Sequence, residues 1–171
     1  MTRILQPIQT TWLDYPDNES LAIIVCMMGC EHKCPDCHNL LFQNFDYDIG
    51  TKEYNINEFI NEIKNLSIRN RTNKIVLSGG DVLHPKNIEF TKEFLNRMKD
   101  DYQICIYTGY NIEYVKNNNV KGYTFIKCGL FNKNLYVKSD KTDDYIQFAS
   151  TNQKLYDKDN ILLSKNGRYN F

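Results

Sequence analysis

Cys30, Cys34 and Cys37 are spaced Cys-x3-Cys-x2-Cys within the run Cys26-Met27-Met28-Gly29-Cys30-Glu31-His32-Lys33-Cys34-Pro35-Asp36-Cys37-His38-Asn39. Four of the chain's six cysteines lie in this run. A closed structural zinc site takes four ligands. Iron–sulfur clusters are held by cysteine thiolates. A cubane cluster held by only three leaves one iron open, and an open iron can bind a substrate or cofactor. Other readings stand beside this one. Cys26, Cys30, Cys34 and Cys37 fall at i, i+4, i+8 and i+11, as on one helix face. Gly29 and Pro35 oppose a regular helix, and Glu31, His32, Lys33 and Asp36 are too polar for a buried run. A zinc knuckle with Cys26, His32 or His38 as fourth ligand is one alternative. Thiols that hold no metal are another.

Ser78-Gly79-Gly80-Asp81 is the second stretch with chemical content. Two adjacent glycines remove both side chains, so a ligand can touch the backbone. Asp81 adds a charge beside them. The plain alternative is an ordinary turn between a strand and a helix. A side chain added at Gly80 is expected to obstruct a ligand and to leave the cysteine loop alone.

The elements that must position these stretches follow from hydrophobic period. Leu21 to Cys26 is a continuous apolar run rich in branched residues, which predicts a strand buried on both faces. It runs directly into the cysteine loop, and sites in parallel sheets lie beyond the C-terminal ends of strands. Ile56, Phe59, Ile60, Ile63 and Leu66 keep helical spacing after an Asn55 cap with Glu58 three residues on. Lys74 to Leu77 predicts a second strand, leading into the glycine turn. A helix is expected from Pro85 or Lys86, and a third strand over Gln103 to Tyr107. A short helix over Asn111 to Lys116 and a fourth strand over Tyr123 to Lys127 complete the alternation. Such alternation means a right-handed parallel β/α layer. Met1 to Ser20 reads as a short strand or irregular arm, and Phe42 to Tyr54 as a loop or short hairpin. Tyr145 to Phe148 is strand-like, and Asn166-Gly167 signals a hairpin turn.

About four β/α units fall within residues 21–129. A complete eight-unit barrel takes about 250 residues. The expected fold is therefore α/β: a single domain over residues 1–171, holding an open, partial β/α barrel and a C-terminal strand and hairpin extension over about 130–171. One side of such a sheet is expected to be uncovered unless a partner fills it. The chain's 171 residues carry no formal net charge, and 42% are hydrophobic. No basic patch points to nucleic acid. No secretory signal opens the sequence, and no apolar run is long enough to span a bilayer. A cytoplasmic protein with metal or redox cysteines is the expectation.

The two motifs together resemble the radical S-adenosylmethionine (SAM) enzymes, in which an open iron chelates the methionine part of SAM. In that superfamily a Gly-Gly-acid turn after the second strand binds the SAM amino group through its backbone. The run Leu77 to Pro85 narrows the resemblance to the activating proteins of anaerobic (class III) ribonucleoside-triphosphate reductase. Gly29, Cys30, His32, Cys34, Pro35, Cys37 and Asn39 match that family's cysteine loop. Tyr107-Thr108-Gly109-Tyr110 and Ser150-Thr151-Asn152-Gln153 match two of its later elements. Asp14 to Asn18 departs from its usual Asn-Gly-Pro-Gly turn, and His38 stands where it has Tyr.

The resemblance implies a 4Fe-4S cluster on Cys30, Cys34 and Cys37. It implies SAM against Asp36, Cys37, His38, Ser78, Gly79, Gly80 and Asp81. The activity implied is cleavage of SAM to a 5′-deoxyadenosyl radical, which installs a glycyl radical on the reductase large subunit. A one-electron donor such as flavodoxin is the second implied partner. No acid–base pair is required, so no side chain is assigned as catalytic. Cys26, Cys105 and Cys128 read as core residues, and His84 as a helix-start or surface residue. Two competing functions are a small-molecule radical SAM enzyme of the deazapurine-forming type and a zinc-binding interaction module.

Overall fold

The computed structural model describes residues 1–18 and 21–171. In chain order the elements are β1 (Thr2–Leu5), β2 (Gln9–Thr11), β3 (Ala22–Met27), β4 (Thr51–Tyr54), α1 (Ile56–Asn70), β5 (Lys74–Gly79), α2 (Ile88–Met98), β6 (Gln103–Thr108), α3 (Ile112–Asn117), β7 (Phe125–Cys128), β8 (Asp140–Lys141), β9 (Tyr145–Gln147), β10 (Lys154–Asp157) and β11 (Arg168–Asn170). The end of the expected N-terminal arm, residues 19 and 20, lies outside the described residues.

β3, β5, β6 and β7 pair in parallel and in sequence order. Antiparallel strands extend this centre on both sides. β10 pairs with β7, and β1 and β4 continue beyond β3 in the order β10-β7-β6-β5-β3-β1-β4. β2 pairs with the start of β3. The order is open, with β10 at one edge and β4 at the other, so no closed barrel forms among the described residues. A separate three-stranded sheet runs β11-β9-β8.

Residues alternate between the two faces of the central strands, as the pleat requires. One face sends Ile23, Val25, Ile75, Leu77, Ile104, Ile106 and Ile126 against Phe59, Ile63, Phe94, Leu95 and Val115 of the helices. The other face carries Ala22, Val76 and Cys105, with Tyr15 packed on them. Both faces are therefore covered, which is why these runs read as near-continuous hydrophobics. Cys105 and Cys128 are buried, as expected of core cysteines, and Cys26 is half-buried.

α1 starts where its cap dictates. The Asn55 side chain accepts from the Asn57 and Glu58 amides, and Glu58 accepts from the Asn55 amide, a complete capping box. The helix runs past Leu66 to Asn70. α2 begins later than Pro85 because residues 84–87 form a turn first. Asn87 N donates to His84 O at 2.7 Å, and the Asn87 side chain donates to Met28 O and Asp81 O. His84 is thus at a helix start but buried, not on the surface.

Two segments depart from expectation. The stretch before α1 is not only loop: Thr51–Tyr54 pairs with β1 along its length. Asn166 and Gly167 do form a tight turn with φ of +51° and +69°, the left-handed pair such turns need. The turn closes a minimal hairpin, with Lys165 N donating to Arg168 O at 2.8 Å and Arg168 N to Lys165 O at 3.0 Å, but the rest of the strand after it pairs with β9. The segment before the hairpin is occupied by β10, since Leu163 N donates to Leu155 O at 2.8 Å.

Candidate functional site

β3 delivers the chain to the cysteine loop at Met27. Backbone bonds then hold the loop's start: Met28 N to Arg3 O at 2.9 Å, Gly29 N to Phe42 O at 2.7 Å and Cys30 N to Gln43 O at 3.1 Å. Further on, Cys37 N donates to Cys34 O at 3.2 Å. Lys33 and Asp36 take left-handed φ of +50° and +55°. Such residues break a helix, so the cysteines do not lie along one helical face. Cys30, Cys34 and Cys37 instead line one wall of a cavity of about 530 Å³. Their thiols are half-buried and free of disulfides.

Burial pushes the Cys30 thiol up to about 11 and raises Cys34 as well. Raised thiols are poor nucleophiles near neutral pH. Their ionisation would come with metal binding, which is linked to proton release. Among the described residues no three Cys, His, Asp or Glu side chains are drawn together as a metal-binding group. In chemistry the donor set still fits a thiolate-held cluster. Three free thiols from one loop face one cavity, while His32, a possible zinc ligand, is already bound to Asp81 through Nε2 at 2.6 Å.

Ser78, Gly79 and Gly80 line the same cavity from the end of β5, and His38 joins them from the cysteine loop. Gly79 has φ of +111° and sits against the Met27 backbone. A Cβ at Gly80 would lie 2.5 Å from the Gly29 and Phe42 carbonyl oxygens. The space a Gly80 side chain would take is thus filled by backbone at Gly29 and Phe42, while Gly80's own backbone lines the cavity. Gly80 N donates to Met27 O, and Asp81 N to Gly29 O, both at 2.8 Å. The glycines let two loops pack backbone to backbone.

Asp36 and Asp81 are not among the cavity-lining residues. Asp36 is largely exposed and ion-paired with Lys133. Asp81 is fully buried, and its carboxylate is surrounded by protein donors.

Strand register reveals a row that spacing alone does not show. Cys26 is level with Ser78, and Tyr107 is level with Lys127. Leu77 opposite Ile106 places Ser78 and Tyr107 level as well. The row crosses all four parallel strands on the face away from the helices. One pleat below it, Ile24, Val76, Cys105 and Phe125 form an apolar layer. Lys127 Nζ lies 3.9 Å from the Tyr107 ring centroid and 5.5 Å from that of Phe148. It has no hydrogen-bond or ion-pair partner among the described residues. Burial lowers it to about 8, against a smaller opposing effect of the Asp14 charge. The available signal was a lysine at an inward position of a short strand.

The far wall of the cavity comes from residues 139–141 and 146–149. Lys141 Nζ ties this wall to the N-terminal arm, donating to Trp12 O at 2.8 Å and Tyr15 O at 3.0 Å. The side expected to be uncovered is therefore partly walled by the chain itself. The wall is the stretch around β8 and β9.

Comparison with known proteins agrees with the cysteine loop. Residues 19–156 match the family described as a 4Fe-4S single cluster domain. The chain is similar to the anaerobic ribonucleoside-triphosphate reductase-activating protein of Haemophilus influenzae, at 30% identity over 58% of this chain and 65% of that protein. That alignment covers just under two thirds of the relative's length. Proteins of the same name from Escherichia coli K12 and Enterobacteria phage T4 are 25% and 26% identical. Those alignments take in 75% and 84% of this chain, and 82% and 88% of the relatives. Because the matched stretch holds the cysteine loop, the glycine turn and all four parallel strands, the chain belongs to the 4Fe-4S single cluster domain family.

Proposed function

We propose that this protein is a radical SAM activase that installs a glycyl radical on an anaerobic ribonucleoside-triphosphate reductase. The observation that carries the reading is one cavity lined by Cys30, Cys34 and Cys37 from the end of β3 and by Ser78, Gly79 and Gly80 from the end of the neighbouring β5. Cys30, Cys34 and Cys37 would hold the cluster. When bound, the cluster supplies one electron to the SAM sulfonium and an open iron for its methionine end. The protein's residues do the rest by binding and exclusion. Ser78 to Gly80 present backbone to the methionine amino group. Lys127 offers an ammonium, with no acceptor among the described residues, to the SAM carboxylate. Leu130, Phe131 and Phe148 line the cavity with apolar surface, which keeps water from the reacting atoms.

The parallel strands β3, β5, β6 and β7 are, on this reading, the core of an open radical SAM-type barrel. The reductase is the protein substrate, and a flavodoxin-type protein supplies the electron. The activating-protein names of the relatives support this choice of partner. The wall at residues 139–149 is what a small-molecule radical SAM enzyme would need, so that reading stands second.

The test mixes the reduced, reconstituted protein with SAM and its cognate reductase under strict anaerobiosis. A reductase-centred glycyl radical, seen as an EPR doublet, is expected. SAM cleavage with no such radical, and turnover of a small purine-like substrate instead, would establish the second reading.

A further inference from the structure

Asp81 carries more hydrogen bonds than a turn requires. Its carboxylate is fully buried. One oxygen accepts from Leu83 N at 2.9 Å and Thr108 Oγ1 at 2.9 Å. The other lies 2.6 Å from His32 Nε2, 3.0 Å from Thr108 Oγ1 and 2.9 Å from Gly109 N. A carboxylate offers about four lone-pair directions, and these donors occupy them. They come from three places in the chain: the cysteine loop, the turn after β5, and the end of β6 with the residue that follows it.

His32 is fitted to this arrangement. A Cβ on Gly109 would come within 2.5 Å of the His32 ring, so glycine leaves the space the ring occupies. The ring stands edge-on to Tyr110, with centroids 4.5 Å apart. Tyr110 stacks on Tyr114 at 3.8 Å, and Tyr114 Oη donates to Leu83 O at 3.1 Å. Ties to the glycine turn therefore flank Cys30: before it, the backbone bonds from Gly80 N to Met27 O and from Asp81 N to Gly29 O; after it, the side-chain bond of His32 to Asp81, with an ion pair of Glu31 to His84 at 3.3 Å beside it.

We propose that Asp81 and His32 form a latch that positions the cysteine loop before any metal binds, with Asp81 as a positioning residue and not a cofactor contact. The proposal rests on the cluster reading for its purpose, but the latch itself is a property of the metal-free chain. A charge-assisted bond to a buried carboxylate is among the stronger single bonds a loop can have. Losing it should free the loop around Cys30 while the helix-covered core stays intact.

The test measures alkylation of Cys30 by a maleimide in the full-length chain before iron is loaded, with the modified residue located by mass spectrometry. His32→Gln and Asp81→Asn should each raise the Cys30 rate about tenfold, equivalent to about 1.4 kcal/mol of loop-closing energy. The double variant should be no faster than either single one, because both break the same tie. Gly109→Ala, which displaces the ring and leaves the Asp81 bonds to Thr108 and Leu83, should act like His32→Gln. It keeps the test open if Asp81→Asn fails to fold. After reconstitution the variants should also bind less iron at limiting iron supply. Unchanged alkylation in His32→Gln and Gly109→Ala overturns the latch, as do additive effects in the double variant. So does an Asp81→Asn protein with wild-type alkylation and iron content that has lost SAM affinity, because that result makes Asp81 a cofactor contact. If wild-type protein itself takes up no cluster, the functional reading fails while the alkylation result still decides the latch.

Discussion

Cys30, Cys34 and Cys37 face the cavity, whereas Cys26 sits on β3 outside its lining. Replacing any of the three by alanine should abolish the four-iron cluster and SAM cleavage, because each removes a thiolate that no other cavity-lining cysteine can replace. Cys26→Ala should keep both. Iron and sulfide analysis after anaerobic reconstitution checks this. A cluster lost in Cys26→Ala but kept in Cys30→Ala would show that the ligand set is wrong.

Lys127 gives a second residue-level test. Burial lowers its ammonium to about 8, below the ordinary lysine value of 10.5. Between those values the unfolded chain binds more protons than the folded one, so this group's contribution to stability rises with pH across that window. Below it, the folded protein bears the full cost of a desolvated charge. Lys127→Met should therefore raise the melting temperature of the metal-free protein at pH 7, and the gain should shrink toward pH 10.5. A gain independent of pH, or a loss at pH 7, would contradict the assignment. The placing of the cysteine loop and the glycine turn at strand ends was legible because each follows directly on an apolar run. Lys127 was not, because its position depends on the register of β6 against β7. The His32–Asp81 contact was hidden for a similar reason: it joins residues 49 apart in sequence.

At the scale of elements, β3, β5, β6, β7 and the three helices were readable from hydrophobic period, and α1 from its cap. Asn55→Ala removes the capping box and should cost about 1 kcal/mol, a fall in melting temperature of about 2–4 °C for a chain of this size. A change within error would mean that tertiary packing alone fixes the start of α1. β1, β4 and β10 were harder to read. They are short, and what makes them strands is the unpaired edge of a neighbour, which no local window contains. The glycine turn shows the same limit. From sequence, Gly80 looked like space for a ligand, but the space its side chain would take is filled by backbone at Gly29 and Phe42. Gly80→Val should push the Gly29 segment away and lower iron content together with SAM affinity. Normal iron content with weakened SAM binding would restore the purely ligand-facing role.

At the scale of the whole molecule, the open central sheet is extended by antiparallel strands at both edges, and the segment around β8 and β9 walls the cavity. No helix among the described residues is long and apolar enough to cross a membrane. Lys141 holds the wall to the arm through two main-chain carbonyls. Lys141→Ala should loosen that wall, seen as faster amide hydrogen exchange over residues 139–149 with β5 and β6 unchanged. Equal exchange in both proteins would mean that the small sheet holds the wall without this tie.

On the proposed function, three thiolates hold a cluster with one iron left for SAM. The most direct test is the EPR spectrum of the anaerobically reconstituted, reduced protein, recorded before and after SAM is added. A brown protein is expected, with a reduced-cluster signal whose shape changes on adding SAM, because SAM would bind the open iron. A colourless, zinc-loaded protein, or a cluster signal indifferent to SAM, would contradict it.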